Sequence, residues 1–358
     1  LNVQYIIKFT FFQYILAKKQ MFFVELPMMG DNSTIRQKLK ILPIDFNSKR
    51  CIINNERKRG KVMEKRMLFV YNPFSGKAHI KTYLDDIITI FTRGGYCVTV
   101  HPTSRMKDGY EYICSFGKEY DVVSVCGGDG MLNEAVSALM ELPRDSRPPL
   151  AYLPSGSTND FAGTVGLPLD LRRAAKMIVE GKPFFCDGGK LNDKCFAYVA
   201  AFGAFTSVAY DTSQDFKNVF GHVAYIMEGI RQLPNIKTQH VKITFDGKTI
   251  EGDFLFGMVT NSLQVGGIKN FSGTAISLND GLFEVLLVKK AQNAIEFQSM
   301  LSAVITQKLN NDNIIRVKAS EITFESDEPI SWTVDGEFGG DTKKAEVKNI
   351  PRAFSVIV

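Results

Sequence analysis

Three short stretches of this chain carry residues suited to holding phosphate. The segment CGGDGMLNEAVSAL (126–139) places Gly127, Gly128, Asp129 and Gly130 directly after the apolar run 122–125 and directly before a helical pattern. Glycines at such a turn let backbone N–H groups close on an anion, and the helix N-terminus adds partial positive charge toward it. A carboxylate does not attract phosphate, so Asp129 reads as the residue that holds Mg2+ or its water shell against a nucleotide. The plain alternative is a tight turn capped by Asp129. YNPFSGK (71–77) adds Asn72, Ser75 and Gly76, and LPSGSTNDFA (153–162) adds Gly156, Ser157, Thr158 and Asn159. Neither is a Walker A loop, because the spacing differs and Lys77 is followed by Ala78. Each alone is ordinary turn chemistry. Three such loops on one sheet edge point to a nucleotide site.

The elements that must position these loops follow from the apolar pattern. MLFVY (67–71), YCVTV (96–100), VVSV (122–125) and LAYLP (150–154) are short apolar runs, and helix-length segments at 78–93, 106–117 and 131–140 separate them. That alternation predicts βαβ units and a parallel sheet covered on both faces, a doubly wound α/β domain over residues 67–190. The crevice outside the strand C-termini is where such sheets bind ligands. From residue 191 to 358 the texture is strand-like, in 195–202, 240–245, 249–261, 283–288, 322–324 and 353–358, with helices expected at 221–232 and 291–308. Asp246-Gly247 between two runs signals a hairpin. The second half is expected to be a mainly antiparallel β-sandwich domain.

Composition narrows the function classes. At 358 residues, 45% hydrophobic and 23% charged, the chain is ordinary globular protein rather than a disordered or disulfide-scaffolded one. The net charge of +5 is unevenly spread: residues 1–66 hold 14 Lys/Arg against 5 Asp/Glu, and the remainder 29 against 33. The folded body is slightly acidic, which argues against nucleic acid as a partner. Six scattered cysteines without Cys-x-x-Cys pairs fit neither a zinc site nor a disulfide framework and suit a reducing cytoplasm. Residues 1–16 are apolar but broken by Lys8, too short for a membrane span of ~20 apolar residues. Residues 1–66 are expected to be a poorly ordered basic extension.

Asn72-Pro73-x-Ser75-Gly76, Gly127-Gly128-Asp129-Gly130-x-x-Asn133-Glu134 and Pro154-x-Gly156-Ser157-x-Asn159-Asp160-Phe161-Ala162 resemble, in that order, the diacylglycerol kinase catalytic domain. The bacterial diacylglycerol-kinase-like lipid kinases are meant in particular, a group also similar to sphingosine kinases. The resemblance runs from Met67 to the C-terminus. NAD kinases and phosphofructokinases share Gly-Gly-Asp-Gly alone, so the combination is the specific signal. It implies ATP lying against Asn72, Pro73, Phe74, Ser75 and Gly76, against Thr103, against Gly128, Asp129, Gly130, Met131, Leu132, Asn133 and Glu134, and against Ser157. Ser157 keeps the hydroxyl of the family's usual Thr, whereas Met131 replaces a Thr.

The same resemblance extends to the second half. VDGE (334–337) is similar to the Asp-Gly-Glu motif that supplies the catalytic base, which implies Glu337 as base with Asp335 supporting it or sharing the role. By itself Asp335-Gly336 reads as a hairpin turn. SLNDGLFEV (277–285) is similar to a segment that binds a structural Mg2+, with Ser277, Asp280 and Leu282 as the matching positions and Asn279 where a second Asp is common. The implied activity is transfer of the ATP γ-phosphoryl group to a lipid hydroxyl, diacylglycerol first, with Mg2+ and ATP required. The implied setting is the cytoplasm, in peripheral contact with the inner face of the membrane; a homodimer is compatible with it. Two other readings stand beside this one: an NAD kinase-like enzyme, and a lipid- or nucleotide-binding protein without catalysis.

Overall fold

Alternating apolar runs and amphipathic segments build the first half around a parallel sheet. The computed structural model describes residues 65–75, 80–203, 238–266, 268–269, 277–293, 296, 299–300 and 312–358. The basic extension up to residue 64, Gly76, the expected helix at 221–232 and most of that at 291–308 lie outside the described residues. Strands β1 (Lys65–Tyr71), β2 (Tyr96–Pro102), β3 (Val122–Gly127) and β4 (Leu150–Pro154) run parallel in the order β2-β1-β3-β4. Helices α1 (Ile80–Arg93), α2 (Asp108–Phe116), α3 (Asp129–Glu141), α4 (Asp160–Val165) and α5 (Leu171–Glu180) accompany them.

Period-2 alternation in β1 divides the core between the two sheet faces. Met67 and Phe69 share a buried cluster with Ile87 and Phe91 of α1 and Ala174 and Ile178 of α5. Leu68 and Val70 join Ile113 of α2 and Leu132, Val136 and Leu139 of α3. Both faces are therefore covered, as the doubly wound fold requires. Helix α5 was not anticipated, although its buried Leu171, Ala174, Ala175 and Ile178 follow an i, i+3, i+4, i+7 pattern and the Asp170 side chain caps it by accepting from Arg173 N–H.

The second half is antiparallel among its own strands. These are β5 (Pro183–Leu191), β6 (Lys194–Phe196), β7 (Val199–Gly203), β8 (Gln239–Phe245), β9 (Lys248–Thr260), β10 (Gln264–Val265), β11 (Ile268–Lys269), β12 (Phe283–Lys289), β13 (Ile314–Ala319), β14 (Glu321–Val334) and β15 (Glu337–Ile357). The long strands β9 and β14 each pair with both β7 and β8, so they carry the hydrogen bonding from one layer to the other. Phe196, Phe202, Phe254, Phe283, Phe324 and Trp332 fill the space enclosed, with Trp332 ring centroids 4.9 Å from Phe202 and 5.0 Å from Phe324. The expected hairpin at Asp246-Gly247 is present, with φ of 48° and 71° as a type I′ turn demands.

Strand β15 joins the two halves. It begins in a hairpin with β14, pairs with β5 between Val347 and Ile357, and places Val356 parallel to Leu150 of β4. Arg147 fastens its far end: the guanidinium donates to the carbonyls of Met140, Leu142 and Ala353 at 2.6, 2.8 and 2.6 Å. Two of those carbonyls close the C-terminal turn of α3, where a cation also suits the helix dipole.

Candidate active site

The sheet order reverses between β1 and β3, and the loops leaving β1, β3 and β4 meet at that switch point. Gly128 and Gly156 touch backbone to backbone. A Cβ on Gly156 would lie 2.5 Å from Gly128 Cα, and one on Gly128 would lie 3.2 Å from Gly156 Cα. Only glycine permits that approach. Asn159, in the left-handed region at φ 52°, holds the turn by accepting from Gly156 N–H and donating to its carbonyl, both at 2.8 Å. The buried Tyr152 hydroxyl donates to Gly127 O at 3.1 Å. The first loop joins through Ser75, whose Oγ lies 3.0 Å from the Ser155 hydroxyl and 3.2 Å from its carbonyl, while Asn72 N–H donates to Cys126 O at 3.1 Å.

The expected nucleotide-side residues therefore share one edge, in different ways. Asn72, Pro73 and Ser75 line the β1 loop half-buried, Phe74 is 77% exposed with the Lys81 ammonium over its ring, and Thr103 is buried with its N–H on Tyr71 O. Gly128 and Gly130 open α3, and Ser157 is exposed at the tip of the β4 loop. Residues 131–134 differ from the expectation of direct contact. A helix of 3.6 residues per turn sends four successive side chains in four directions. Met131 and Leu132 are buried in the core. Glu134 accepts from Lys107 N–H at 2.9 Å and Tyr110 N–H at 3.3 Å, capping α2. Asn133 Nδ2 donates to Asp335 Oδ2 at 2.7 Å and to Cys195 O at 3.3 Å. What this turn offers the crevice is its main chain.

Asp129 ties two loops together. Its Oδ2 accepts from Asn159 N–H at 3.0 Å and its Oδ1 from Asp160 N–H at 3.1 Å. Burial, then the nearby Asp160 and Asp335 carboxylates, push its carboxyl up to about 7. The two amides pull the other way. Each oxygen keeps a lone pair, and a cation here would relieve the crowding of acids. Among the described residues no three acids, histidines or cysteines form a ready metal cluster. Mg2+ usually rests on one or two carboxylates and takes its other ligands from phosphates and water, so Asp129 fits that use.

Asp335 and Glu337, two residues apart, stand in opposite situations. Asp335 is buried, and its oxygens accept from Ala197, Tyr198 and Val199 N–H at 2.6, 3.0 and 3.0 Å as well as from Asn133. Four donors fill the lone pairs of both oxygens. Burial pushes this carboxyl up, and the donors oppose it. A group so occupied supports; it has no lone pair with which to share the base role. Asp335 and Gly336, at φ 47° and 87°, are also the hairpin turn that the sequence suggested. The turn and the site are one object. Glu337 follows, exposed, its carboxylate without a hydrogen-bond partner among the described residues. A Cβ on Gly130 would lie 3.0 Å from Glu337 Oε1. Gly130 thus makes room for the carboxylate at the first turn of α3.

The expected structural Mg2+ positions are already engaged. Asp280 Oδ1 accepts from Leu282 N–H at 3.2 Å, its Oδ2 lies 3.6 Å from Lys318 Nζ, and the Ser277 hydroxyl donates to Asn279 Oδ1 at 3.2 Å. An ammonium beside the loop's one carboxylate does not fit a divalent cation there.

Asn159, expected among the phosphate-holding residues of the third loop, instead spends its side chain on Gly156, and Tyr152 and Asp160 join the site without having been singled out for a role. Asp160 is buried and accepts from Gln264 Nε2 at 3.2 Å and Gly266 N–H at 2.6 Å, which fastens α4 to the β10 turn. Asn159 and Asp160 were visible in the third motif; Tyr152 gave no signal beyond its place in an apolar run.

Known proteins resemble this chain over both of its halves. Residues 66–191 match the diacylglycerol kinase catalytic domain, and residues 200–358 match the YegS C-terminal NAD kinase beta sandwich-like domain. The chain is 32% identical over 296 residues to a diacylglycerol kinase of Bacillus subtilis, covering 82% of this chain and 96% of that one. It is 34% identical over 282 residues to one of Staphylococcus epidermidis, covering 78% and 87%. A crystal structure of a diacylglycerol kinase from Bacillus anthracis superimposes with a TM-score of 0.69 at 28% identity, covering 83% and 98%. The chain belongs to the diacylglycerol kinase catalytic domain family, and it is a lipid kinase of that family with ATP as the co-substrate the family implies.

Proposed function

We propose that this enzyme transfers the γ-phosphoryl group of Mg2+-ATP to the hydroxyl of a membrane lipid, with diacylglycerol as acceptor and phosphatidic acid as product. The observation that carries the reading is Glu337 Oε1 beside Gly130, at the N-terminal turn of the helix that opens the glycine-lined crevice. The backbone donors of the three loops bind and orient the phosphates. Mg2+ held at Asp129 would offset phosphate charge as it shifts toward the leaving ADP. Glu337 takes the proton of the acceptor hydroxyl as its oxygen bonds to the γ-phosphorus and the bond to the ADP oxygen breaks. Asp335, locked by four donors, fixes the hairpin from which Glu337 projects.

No helix among the described residues is long and apolar enough to cross a membrane. The proposal places the lipid at a peripheral contact with the bilayer surface, on its cytoplasmic side, with the acceptor entering beside the β14–β15 hairpin. Relatives named diacylglycerol kinase support the choice of acceptor. The test is product identity: mixed micelles of diacylglycerol, phosphatidylglycerol or a sphingoid base, with NAD in parallel, are incubated with Mg2+-ATP and the products separated. Phosphatidic acid as the main product supports the proposal. NADP as the main product would replace it with the NAD kinase reading, and another lipid phosphate would correct the acceptor.

A further inference from the structure

Strand β12 carries an acid in a position that strands seldom give to one. Glu284 is 6% exposed, paired to Thr260 of β9 on one side and standing opposite Lys318 of β13 on the other. Lys318 Nζ lies 2.8 Å from Glu284 Oε1 and 3.6 Å from Asp280 Oδ2. The backbone register alone makes Lys318 the cross-strand neighbour of Glu284, so the ion pair follows from strand pairing. Glu284 Oε2 is buried without a protein donor. The sequence resemblance puts a divalent cation on the adjoining loop, at Ser277, Asp280 and Leu282. This chain has changed the charge there. Asn279 removes one acid and takes the Ser277 hydroxyl, and the remaining acids face an ammonium.

The loop is also stitched by protein groups. Asp187, fully buried, donates its N–H to Leu278 O and accepts from Gly281 N–H, both at 2.7 Å, and Asn261 Nδ2 donates to Leu278 O at 3.2 Å. Two carboxylates and one ammonium leave a single negative charge in the triad. A divalent ion on Asp280 would have to sit against the Lys318 ammonium, and like charges at such a distance repel strongly in a partly buried site. We propose that Lys318 is the resident cation of this loop, so that the segment 277–284 holds its shape without a divalent metal. The inference is independent of the reaction and of the acceptor.

The test is thermal unfolding of the nucleotide-free full chain in EDTA and in millimolar MgCl2 or CaCl2, with Asp129→Asn present throughout so that a cation at the active site does not enter. The protein that is wild type at Lys318 should melt at the same temperature in all three. Lys318→Met should lower the melting temperature by about 3–6 °C, the cost of stranding a buried carboxylate reduced by the partial exposure of Lys318. Lys318→Arg, which keeps the cation, should stay near the protein with Lys318. A melting temperature of the protein with Lys318 that falls in EDTA and recovers with Mg2+ would overturn the proposal, and so would a Lys318→Met protein as stable as the one with Lys318. The arm with Lys318 decides even where the Lys318→Met variant fails to fold.

Discussion

Asn133 Nδ2 lies 2.7 Å from Asp335 Oδ2, a hydrogen bond between residues 202 positions apart in the chain. Asn133 belongs to the first turns of α3, which carry the glycine-rich motif, and Asp335 to the hairpin that presents Glu337. The contact therefore sets the distance between the glycine-rich turn and Glu337, which the proposed function makes the phosphate cradle and the base. A misplacement of one ångström at a reacting group can cost about 10²-fold in rate.

Asn133→Ala should for this reason lower kcat about 10- to 100-fold while leaving the KM for ATP nearly unchanged. It should also destabilise the fold by about 1–3 kcal/mol, because a buried carboxylate loses a donor. Steady-state kinetics and thermal unfolding check the two parts. A rise in ATP KM with kcat intact would show that Asn133 serves the nucleotide instead.

Gly156→Ala should damage nucleotide binding more than Gly128→Ala. The added methyl at 156 would fall 2.5 Å from Gly128 Cα, against 3.2 Å for the reverse change. Backbone cannot yield as a side-chain tip can, so the two loops must part. Calorimetric titration with ATP should show at least a tenfold loss at 156 and a smaller one at 128, on the order of 1.4 kcal/mol or more for the former.

Asp129 makes the nucleotide-free protein sensitive to pH. Its folded-state carboxyl stands at about 7, while the unfolded chain releases that proton near pH 4. Between those values the folded state binds more protons, so stability falls as pH rises through the interval and levels off above about 7. Asp129→Asn should flatten this part of the slope. Melting temperatures of both proteins, taken from about pH 5 to about pH 8, read the difference.

The fold was legible wherever one pattern had one meaning. The runs at 67–71, 122–125 and 150–154 are buried strands because their apolar residues are continuous and their neighbours helical. The site was legible as loops and less so as roles. Residues 131–134 read as a continuous nucleotide contact, whereas the helix turns Met131 and Leu132 into the core and spends Asn133 and Glu134 on Asp335 and α2. That division depends on what packs around the helix, which lies far off in sequence. Asp335 was ambiguous for a similar reason: its three amide donors, Ala197 and Tyr198 in the link between β6 and β7 and Val199 at the start of β7, lie 138, 137 and 136 positions away. The Lys318–Glu284 ion pair was hidden because strand register, not local spacing, brings that lysine to Glu284.

The proposed reaction turns on Glu337 as the base. Glu337→Gln keeps the size and removes the basicity of this exposed side chain. The measurement is kcat with Mg2+-ATP and the preferred lipid, beside ATP affinity and melting temperature. The expected result is a kcat loss of about 10²–10⁴-fold, with ATP affinity unchanged and stability within about 0.5 kcal/mol of the wild type. A variant that keeps its kcat would contradict it and move the base to another group.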